Sequence, residues 1–509
     1  MITNVLELLE NCALDSPDSI ALRDENESVT YAQYMDYAKR IGTFLREKHP
    51  QEVQRPVAVY IDRNIKSIYT FMGVVYSGNM YVPIDATMPE ERVQLILKTL
   101  NPFALLDARN AKSESSSETD SLIPVDGILD ETKVNQELLD EVRANHIDVD
   151  PLYSIFTSGS TGVPKGVCIC HRSVIDLVNS FEEAFAFEKG TVFGNQAPFD
   201  FDVSVKDIFN ALNCCGCVDV IPKKCFTSPA LLVKHLIYHE IDTIIWAVSA
   251  MRILADFDAF KSAEVLPRIK NAFFSGEVMP VKTMNYWRKY YPNTRFVNLY
   301  GPTEITCNCS YYVVDKDFGL DEKIPAGKPF KNTRMYLIND KNEFITEPNV
   351  IGEICVYGTS LALGYWNNKE KTAEAFASNP FISQYPATIY RTGDLGYYDA
   401  EGNFVYSSRK DFQIKHMGHR IELGEIENAL NSLDIITIAV CIYDEDKEKI
   451  VCFYQAAEER KKDIVMALSK KLPKYMWPNV YCRYDELPLN KNGKIDRTRL
   501  KKEWKKQNG

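Results

Sequence analysis

Short unbroken apolar runs alternate along this chain with stretches whose apolar residues return every third or fourth position, the signatures of buried strands and of amphipathic helices. Residues 4–48 predict two helices around Ser28-Val29-Thr30-Tyr31, and residues 57–61 predict a strand. Ile65–Tyr76 predicts a helix ended by Gly78, and Tyr81-Val82-Pro83-Ile84-Asp85 a second strand. Pro89-Glu90-Glu91-Arg92 opens a further helix with proline in its first turn. Such alternation predicts α/β layers and continues to about residue 335. Residues 112–120, rich in serine, read as a polar surface loop. From 326 to about 405 the pattern changes to short strands with Gly and Asn turns, such as Gly352-Glu353-Ile354-Cys355-Val356-Tyr357-Gly358, which predicts a β-rich subdomain. The last hundred or so residues mix helix (425–430 and near 458–472) with strands (438–443 and 450–454) before a basic tail. There is no internal repeat.

At 509 residues the chain exceeds one hydrophobic core, so two or more domains are expected. Its net charge of -11 argues against nucleic acid as a main partner, because phosphate backbones require basic surface, but leaves room for a small anion in a local pocket. The first ten residues carry acids and no basic segment, reading as an amphipathic helix rather than a signal peptide. No apolar run is long enough to span a bilayer. Thirteen scattered cysteines fit reduced thiols in a cytoplasmic protein. Cys168, Cys170 and His171, and Cys214, Cys215 and Cys217, lack paired zinc spacing and read as buried thiols. His235 and His239 stand one helical turn apart without the glutamate of a zinc protease, which predicts a partly exposed helix face.

Candidate chemistry begins where the apolar run Tyr153-Ser154-Ile155-Phe156 ends, at Thr157-Ser158-Gly159-Ser160-Thr161-Gly162-Val163-Pro164-Lys165-Gly166. Glycines and hydroxyls let backbone N–H groups turn toward one anion, and a lysine adds a compact positive charge. The spacing is not that of the common nucleotide-hydrolase loop, and the same composition also makes ordinary surface turns. Asn298-Leu299-Tyr300-Gly301-Pro302-Thr303-Glu304 follows an apolar run, as ligand loops do at strand C-termini. Its tyrosine suits stacking on a base, its threonine a phosphate and its glutamate a Mg2+ ion. Tyr390-Arg391-Thr392-Gly393-Asp394 sets an acid after a tight turn, suited to ribose hydroxyls, and Leu489-Asn490-Lys491-Asn492-Gly493-Lys494-Ile495-Asp496 presents lysine on a turn. Taken singly, each of these is more often a plain turn.

Together with Arg420-Ile421-Glu422-Leu423-Gly424-Glu425-Ile426-Glu427, and in this order, these motifs resemble the adenylate-forming, AMP-binding enzyme superfamily over nearly the whole chain. Within it they resemble the amino-acid adenylation enzymes: the D-alanine–carrier protein ligases and the adenylation domains of nonribosomal peptide synthetases. The resemblance implies a large N-terminal domain (1–410) of layered α/β subdomains plus a β-rich one. A small mobile α+β domain (411–509), hinged at Asp411, would follow. It implies ATP and Mg2+ as cofactors. Lys494, Glu304 and Thr157 are then the catalytic candidates, with Glu304 as the metal ligand. The nucleotide set is Thr157, Ser158, Gly159, Ser160, Thr161, Gly162, Lys165, Gly276, Glu277, Asn298, Tyr300, Gly301, Thr303, Asp394, Arg409 and Lys494.

The substrate end is implied by Phe201-Asp202-Val203-Ser204-Val205, which matches the segment whose aspartate pairs with a substrate α-ammonium. From local sequence alone Asp202 is equally a cap for the following helix; acyl- and aryl-CoA ligases generally lack this acid. The side-chain pocket would be lined by Val203, Lys206, Trp246, Phe273, Ser275, Leu299, Cys307 and Asn308, with Trp246 and Phe273 favouring a small α-amino acid. Ser275 replaces a cysteine of the D-alanine ligases, and Lys206 is an unusual pocket residue that either pairs with an acidic side chain or snorkels to solvent. No carrier module is visible after the lysine turn, so a carrier protein bearing phosphopantetheine is expected in trans, unless none is used. The rival readings are an acyl- or aryl-CoA ligase and a catalytically inactive nucleotide-binding protein.

Overall fold

The structure, a computed structural model, describes residues 2–110, 122–159, 163–261, 263, 265–410, 413–489 and 495–508. It divides into two compact units. The larger comprises Met1–Ala86, Leu100–Ile155 and Gly166–Lys410, and the smaller comprises Thr87–Thr99, Phe156–Lys165 and Asp411–Gly509. The polar loop expected at 112–120 lies outside the described residues.

The larger unit opens with helices Leu6–Asp15 and Tyr31–Lys48, separated by the paired strands Ile20–Arg23 and Ser28–Thr30. Thr30 starts the second helix through a capping box: its Oγ1 accepts from Gln33 N, and Gln33 Oε1 accepts from Thr30 N. Asn64 caps Ile65–Tyr76 by accepting from Ser67 N, and Gly78 stands beyond its end at φ +78°.

A seven-stranded sheet runs in the order Gly364–Tyr365, Lys165–Cys170, Pro151–Thr157, Met80–Asp85, Pro56–Ile61, Ala104–Asp107, Leu122–Pro124. A nine-stranded sheet contains the parallel neighbours Arg295–Tyr300, Asn271–Ser275, Thr243–Ala247, Val192–Asn195, Cys217–Val220 and Ile20–Arg23. Its central strands read as continuous apolar runs because both faces are covered: Thr243–Ala247 is buried at every residue. Alternation then sends Ile245, Phe273, Val297 and Leu299 into one core and Ile244, Trp246, Ala272, Phe274 and Phe296 into another. The β-rich stretch forms an antiparallel sheet of Thr333–Ile338, Gly352–Gly358, Thr388–Tyr398 and Phe376–Ser378, with Phe404–Arg409 paired to Thr388–Tyr398.

In the smaller unit, Gln413–His416 pairs with His419–Glu422, and Ile438–Asp444, Lys449–Gln455 and Val480–Tyr484 form a three-stranded sheet. Helices Leu423–Asn431 and Lys461–Leu468 contribute to one core of this unit, around Ile426, Cys452 and Leu468. The basic tail is helical over Arg497–Asn508, anchored by Leu500 and Trp504.

Candidate functional site

Three parallel strands end close to one another at Ala247, Ser275 and Tyr300, the carboxyl edge where open α/β sheets receive ligands. Which residues face that region follows from strand alternation. Phe273, Ser275 and Leu299 share one face of the sheet, and Trp246 takes the other, where its Nε1 donates to Gly194 O at 2.7 Å and its ring lies edge-on to Phe226. The expected pocket lining is therefore corrected by one residue: Trp246 belongs to a different core. Asn298 faces away from Leu299 for the same reason and donates to Pro325 O at 2.7 Å.

Asp202 occupies the N-cap position of the helix Val203–Asn213 but sits in the right-handed helical region and makes no side-chain cap hydrogen bond. The capping alternative fails on that geometry. The helix is buried from Val203 to Leu212, so its polar side chains must find partners inside. Lys206 neither snorkels nor pairs with a carboxylate of this chain: its Nζ donates to Asn308 Oδ1 at 2.8 Å and to Ser275 Oγ at 3.2 Å. Burial pushes its amine below the usual lysine range, opposed by the charge of Asp202 and Asp207.

Facing Lys206 is a constrained loop. Thr306 and Cys307 hold φ at +58° and +69°, a region that disfavours β-branched and other side chains. Thr306 Oγ1 donates to Ser360 O, and Cys307 Sγ to Asp202 O, each at 2.8 Å. The loop passes so near Gly301 that a Cβ there would meet Asn308 Cα at 2.6 Å, which explains glycine in the Tyr300-Gly301-Pro302 turn.

Three of the nucleotide candidates meet at Asp394. Tyr300 donates its hydroxyl to Asp394 Oδ2 at 2.6 Å, and Arg409 reaches Asp394 Oδ1 at 2.5 Å and Thr392 O at 3.1 Å. Glu304, fully buried beside Thr303, accepts from the Tyr365 hydroxyl at 2.8 Å. Tyr365 is legible in no local motif; it comes from a strand 61 residues away. Glu277 accepts from Ser249 N at 3.2 Å, and Gly276 has φ +92°.

In the smaller unit, the glycine-rich segment lies against the Arg420–Glu427 motif. Ser158 Oγ donates to Arg420 O and accepts from Glu422 N; Lys165 stands 4.0 Å from Glu422; and Arg92 pairs with Glu425. Thr157 Oγ1 is buried without a partner. A Cβ on Gly159 would strike Val163 O at 2.1 Å, so only glycine permits this turn. Ser160, Thr161, Gly162, Asp411 and Lys494 lie outside the described residues.

Two other groupings resolve differently from one another. The thirteen cysteines are all free thiols, eleven of them buried, as their apolar settings predict. His235 and His239, expected on a partly exposed face, are partly exposed, and both rings also meet the buried Asp219, with Nε2 of His235 at 2.6 Å and Nδ1 of His239 at 3.1 Å. Arg23 Nε meets the same carboxylate at 2.6 Å. Among the described residues, no helix is long and apolar enough to cross a membrane.

A model of the AMP-binding enzyme family matches residues 9–366, and one of the AMP-binding enzyme C-terminal domain matches 425–494. The chain belongs to the AMP-binding enzyme family. This AMP-binding enzyme is 32% identical, over 98% of its length and 99% of the relative's, to the D-alanine–D-alanyl carrier protein ligase of Bacillus licheniformis. It is 30% identical to tyrocidine synthase 1 of Brevibacillus parabrevis over 98% of its own length, and spans 45% of that longer protein. Among solved structures it resembles holo-PA1221, an NRPS protein containing adenylation and PCP domains, with TM-score 0.85 and 26% identity. That match covers 98% of this chain and 84% of the other. The shared architecture is a large N-terminal and a small C-terminal domain. The protein is accordingly an adenylate-forming ligase of the AMP-binding superfamily, and ATP is the nucleotide expected for the family.

Proposed function

We infer that this AMP-binding enzyme activates a small α-amino acid as its aminoacyl-adenylate and passes the aminoacyl group to the phosphopantetheine thiol of a carrier protein. The observation that carries the amino-acid reading is the placement of Asp202: an acid at the head of the buried helix Val203–Asn213, one helical turn from Lys206 and not serving as that helix's side-chain cap. A carboxylate so placed suits the α-ammonium group of an amino acid, which bonds it with charge assistance. The carrier reading draws support from the D-alanine–D-alanyl carrier protein ligase, which this chain matches over 99% of that protein's length.

In the first half-reaction a substrate carboxylate oxygen attacks the α-phosphorus of ATP; the new P–O bond forms as the bond to pyrophosphate breaks. Catalysis of this kind is largely positioning and charge stabilisation. Asp394 and Arg409 are assigned to the ribose, with Tyr300 beside the adenine. Thr157, Ser158, Ser160, Thr161 and Lys165 are assigned to the departing phosphates, and Lys494 to the carboxylate and α-phosphate together. The oxygen donor of Glu304 is of the type Mg2+ accepts, and that ion, when bound, supplies neutralisation of phosphate charge. In the second half-reaction the carrier thiolate attacks the acyl carbon; a C–S bond forms, the C–O bond to AMP breaks, and AMP leaves. Rotation of residues 411–509 about Asp411 is assigned to the change between the two steps.

The deciding experiment is exchange of labelled pyrophosphate into ATP, screened over both enantiomers of the common amino acids. Stimulation by one or a few is expected; stimulation by none, with coenzyme A accepting an acyl group instead, overturns the reading in favour of an acyl- or aryl-CoA ligase. Lys494→Ala is expected to reduce exchange at least ~100-fold while nucleotide binding persists.

A further inference from the structure

The Lys206 site has more hydrogen-bond donors than acceptors. A lysine ammonium has three N–H donors, and Lys206 uses two, on Asn308 Oδ1 and Ser275 Oγ. Bonding of Lys206 to Oδ1 fixes the orientation of the Asn308 amide, whose Nδ2 is then buried with no partner. The Ser275 hydroxyl, already an acceptor from the lysine, has its own proton to place. Among the described residues no carboxylate lies within ion-pair distance of Lys206 Nζ; Asp202 and Asp207 act on it only through space. All three residues are nearly inaccessible, with relative exposures of 1% for Lys206, 5% for Ser275 and 2% for Asn308.

If Lys206 merely filled space, this arrangement would be hard to account for. A buried ammonium without a counter-charge is destabilising, and methionine or leucine fills the same volume without that cost. Strain points the same way. Two consecutive non-glycine residues, Thr306 and Cys307, are held at positive φ immediately before Asn308, and backbone strain of this kind collects where a side chain must be presented to a ligand. An anion with several lone pairs, held in one plane, would satisfy the spare lysine proton, the Asn308 amide and the serine hydroxyl together. A carboxylate has that form. Asp202 and Lys206 are one helical turn apart, so the segment offers a negative and a positive group on the same side of the chain.

We propose that Lys206, Ser275 and Asn308 receive a side-chain carboxylate, so that the amino acid activated is an acidic one of the aspartate–glutamate class. Asp202 takes its α-ammonium end and Lys206 its distal carboxylate. This assignment rests on the amino-acid-activating function inferred above. It also gives a chemical reason for serine at position 275, a hydroxyl that bonds a carboxylate better than a thiol does.

The test uses the full-length protein in pyrophosphate–ATP exchange with aspartate, glutamate, asparagine, glutamine, alanine and serine, each as both enantiomers. An acidic substrate is expected to exceed its own amide at least ~100-fold, as polar sites reject analogues that leave buried groups unpaired. Lys206→Met is expected to lose that preference by a similar factor and to improve relative activity toward the uncharged isostere. Should Lys206→Met fail to fold, Asn308→Ala serves in its place, raising KM for the acid at least ~10-fold with KM for ATP unchanged. Stimulation by alanine or serine with both acids inert overturns the acidic assignment and leaves amino-acid activation standing. Stimulation by no amino acid overturns both. Unchanged preference in a folded Lys206→Met protein removes Lys206 from substrate recognition whatever the substrate is.

Discussion

Tyr300 donates its hydroxyl to Asp394 Oδ2 at 2.6 Å, and Arg409 holds the other oxygen of the same buried carboxylate at 2.5 Å. Burial, with the charge of Asp394 second, pushes the Tyr300 phenol above its ordinary range, so it remains a donor across neutral pH. The acid is thereby oriented from both sides before any ligand arrives. With Asp394 on the ribose, Tyr300→Phe is expected to raise KM for ATP by about 2–10-fold, the worth of one net hydrogen bond, and Asp394→Ala by about 10–100-fold. KM for the amino acid should stay within twofold in both, by roughly the same reasoning. Steady-state kinetics with each substrate varied in turn would show this; an ATP constant unmoved by Asp394→Ala would refute the assignment.

Asp202 separates a structural role from a functional one. Loss of a true N-cap costs about 0.5–2 kcal/mol, but Asp202 makes no side-chain cap hydrogen bond at this helix. Asp202→Ala is therefore expected to shift thermal stability by less than a cap would and to raise KM for the amino acid at least ~50-fold, the cost of leaving its ammonium unpaired. Differential scanning fluorimetry and exchange kinetics on the same preparation compare the two. Large destabilisation with an unchanged amino-acid constant would make Asp202 a structural residue.

Much of this could be anticipated from the chain, and the exceptions share a cause. Buried strands such as Thr243–Ala247 and helices such as Ile65–Tyr76 are visible because local periodicity and caps specify them. The ordered motifs contain Tyr300 and Asp394, and the resemblance adds Arg409; the structure sets these three side chains in contact. What could not be read locally was facing and partnership. Trp246 looked suited to a pocket by its size, but being one residue along the strand from Ile245 sends it through the sheet into another core. His235 and His239 lie on the partly exposed face that their spacing predicts, but the Asp219 beneath them comes from a strand no local pattern connects to that helix. Tyr365 reaches Glu304, and Lys206 reaches Ser275 and Asn308, across separations no window of sequence spans.

The Asp219 cluster is a stability element with an acid limit. Burial raises its carboxyl, but the hydrogen bond and charge of His235, together with Arg23, outweigh burial and hold it below the usual aspartate range. Its contribution is therefore present above the unfolded-state pKa of about 3.9 and is lost as pH falls through the lower folded value. Burial also holds His239 below its ordinary range, with Asp219 opposing, so charging that ring weakens the fold as pH drops below about 6.5. Asp219→Asn is expected to cost about 1.5–3 kcal/mol at pH 7, because it removes the charged acceptor of Arg23, which is 23% exposed and keeps its bond to His239 O. Urea unfolding should show the deficit shrinking as pH falls below the unfolded-state value of about 3.9 and through the lower folded value, where the wild-type carboxylate is itself protonated. A deficit independent of pH would mean that packing, not charge, is what the substitution disturbs.

Asp207 behaves in the opposite sense. Its Oδ2 accepts from Asn195 Nδ2 at 2.8 Å, but Oδ1 is buried with no partner. Burial pushes its carboxyl up to about 7, against the lowering effects of Asn195, Lys206 and Arg63. A folded pKa above the unfolded value of about 3.9 means that the stabilising contribution is complete below about pH 4 and is lost as pH rises through about 7. Ionising Asp207 thus works against the fold, and Asp207→Asn, which preserves the shape and the acceptor for Asn195, removes that opposition. The variant is expected to match wild type at pH 5 to within about 1 kcal/mol and to exceed it at pH 8 by roughly 2–4 kcal/mol. Chemical unfolding at the two pH values measures this. A variant less stable than wild type at pH 8 would show that the carboxylate charge is needed in place, as a through-space partner for Lys206 and Arg63, and that its burial is offset by them.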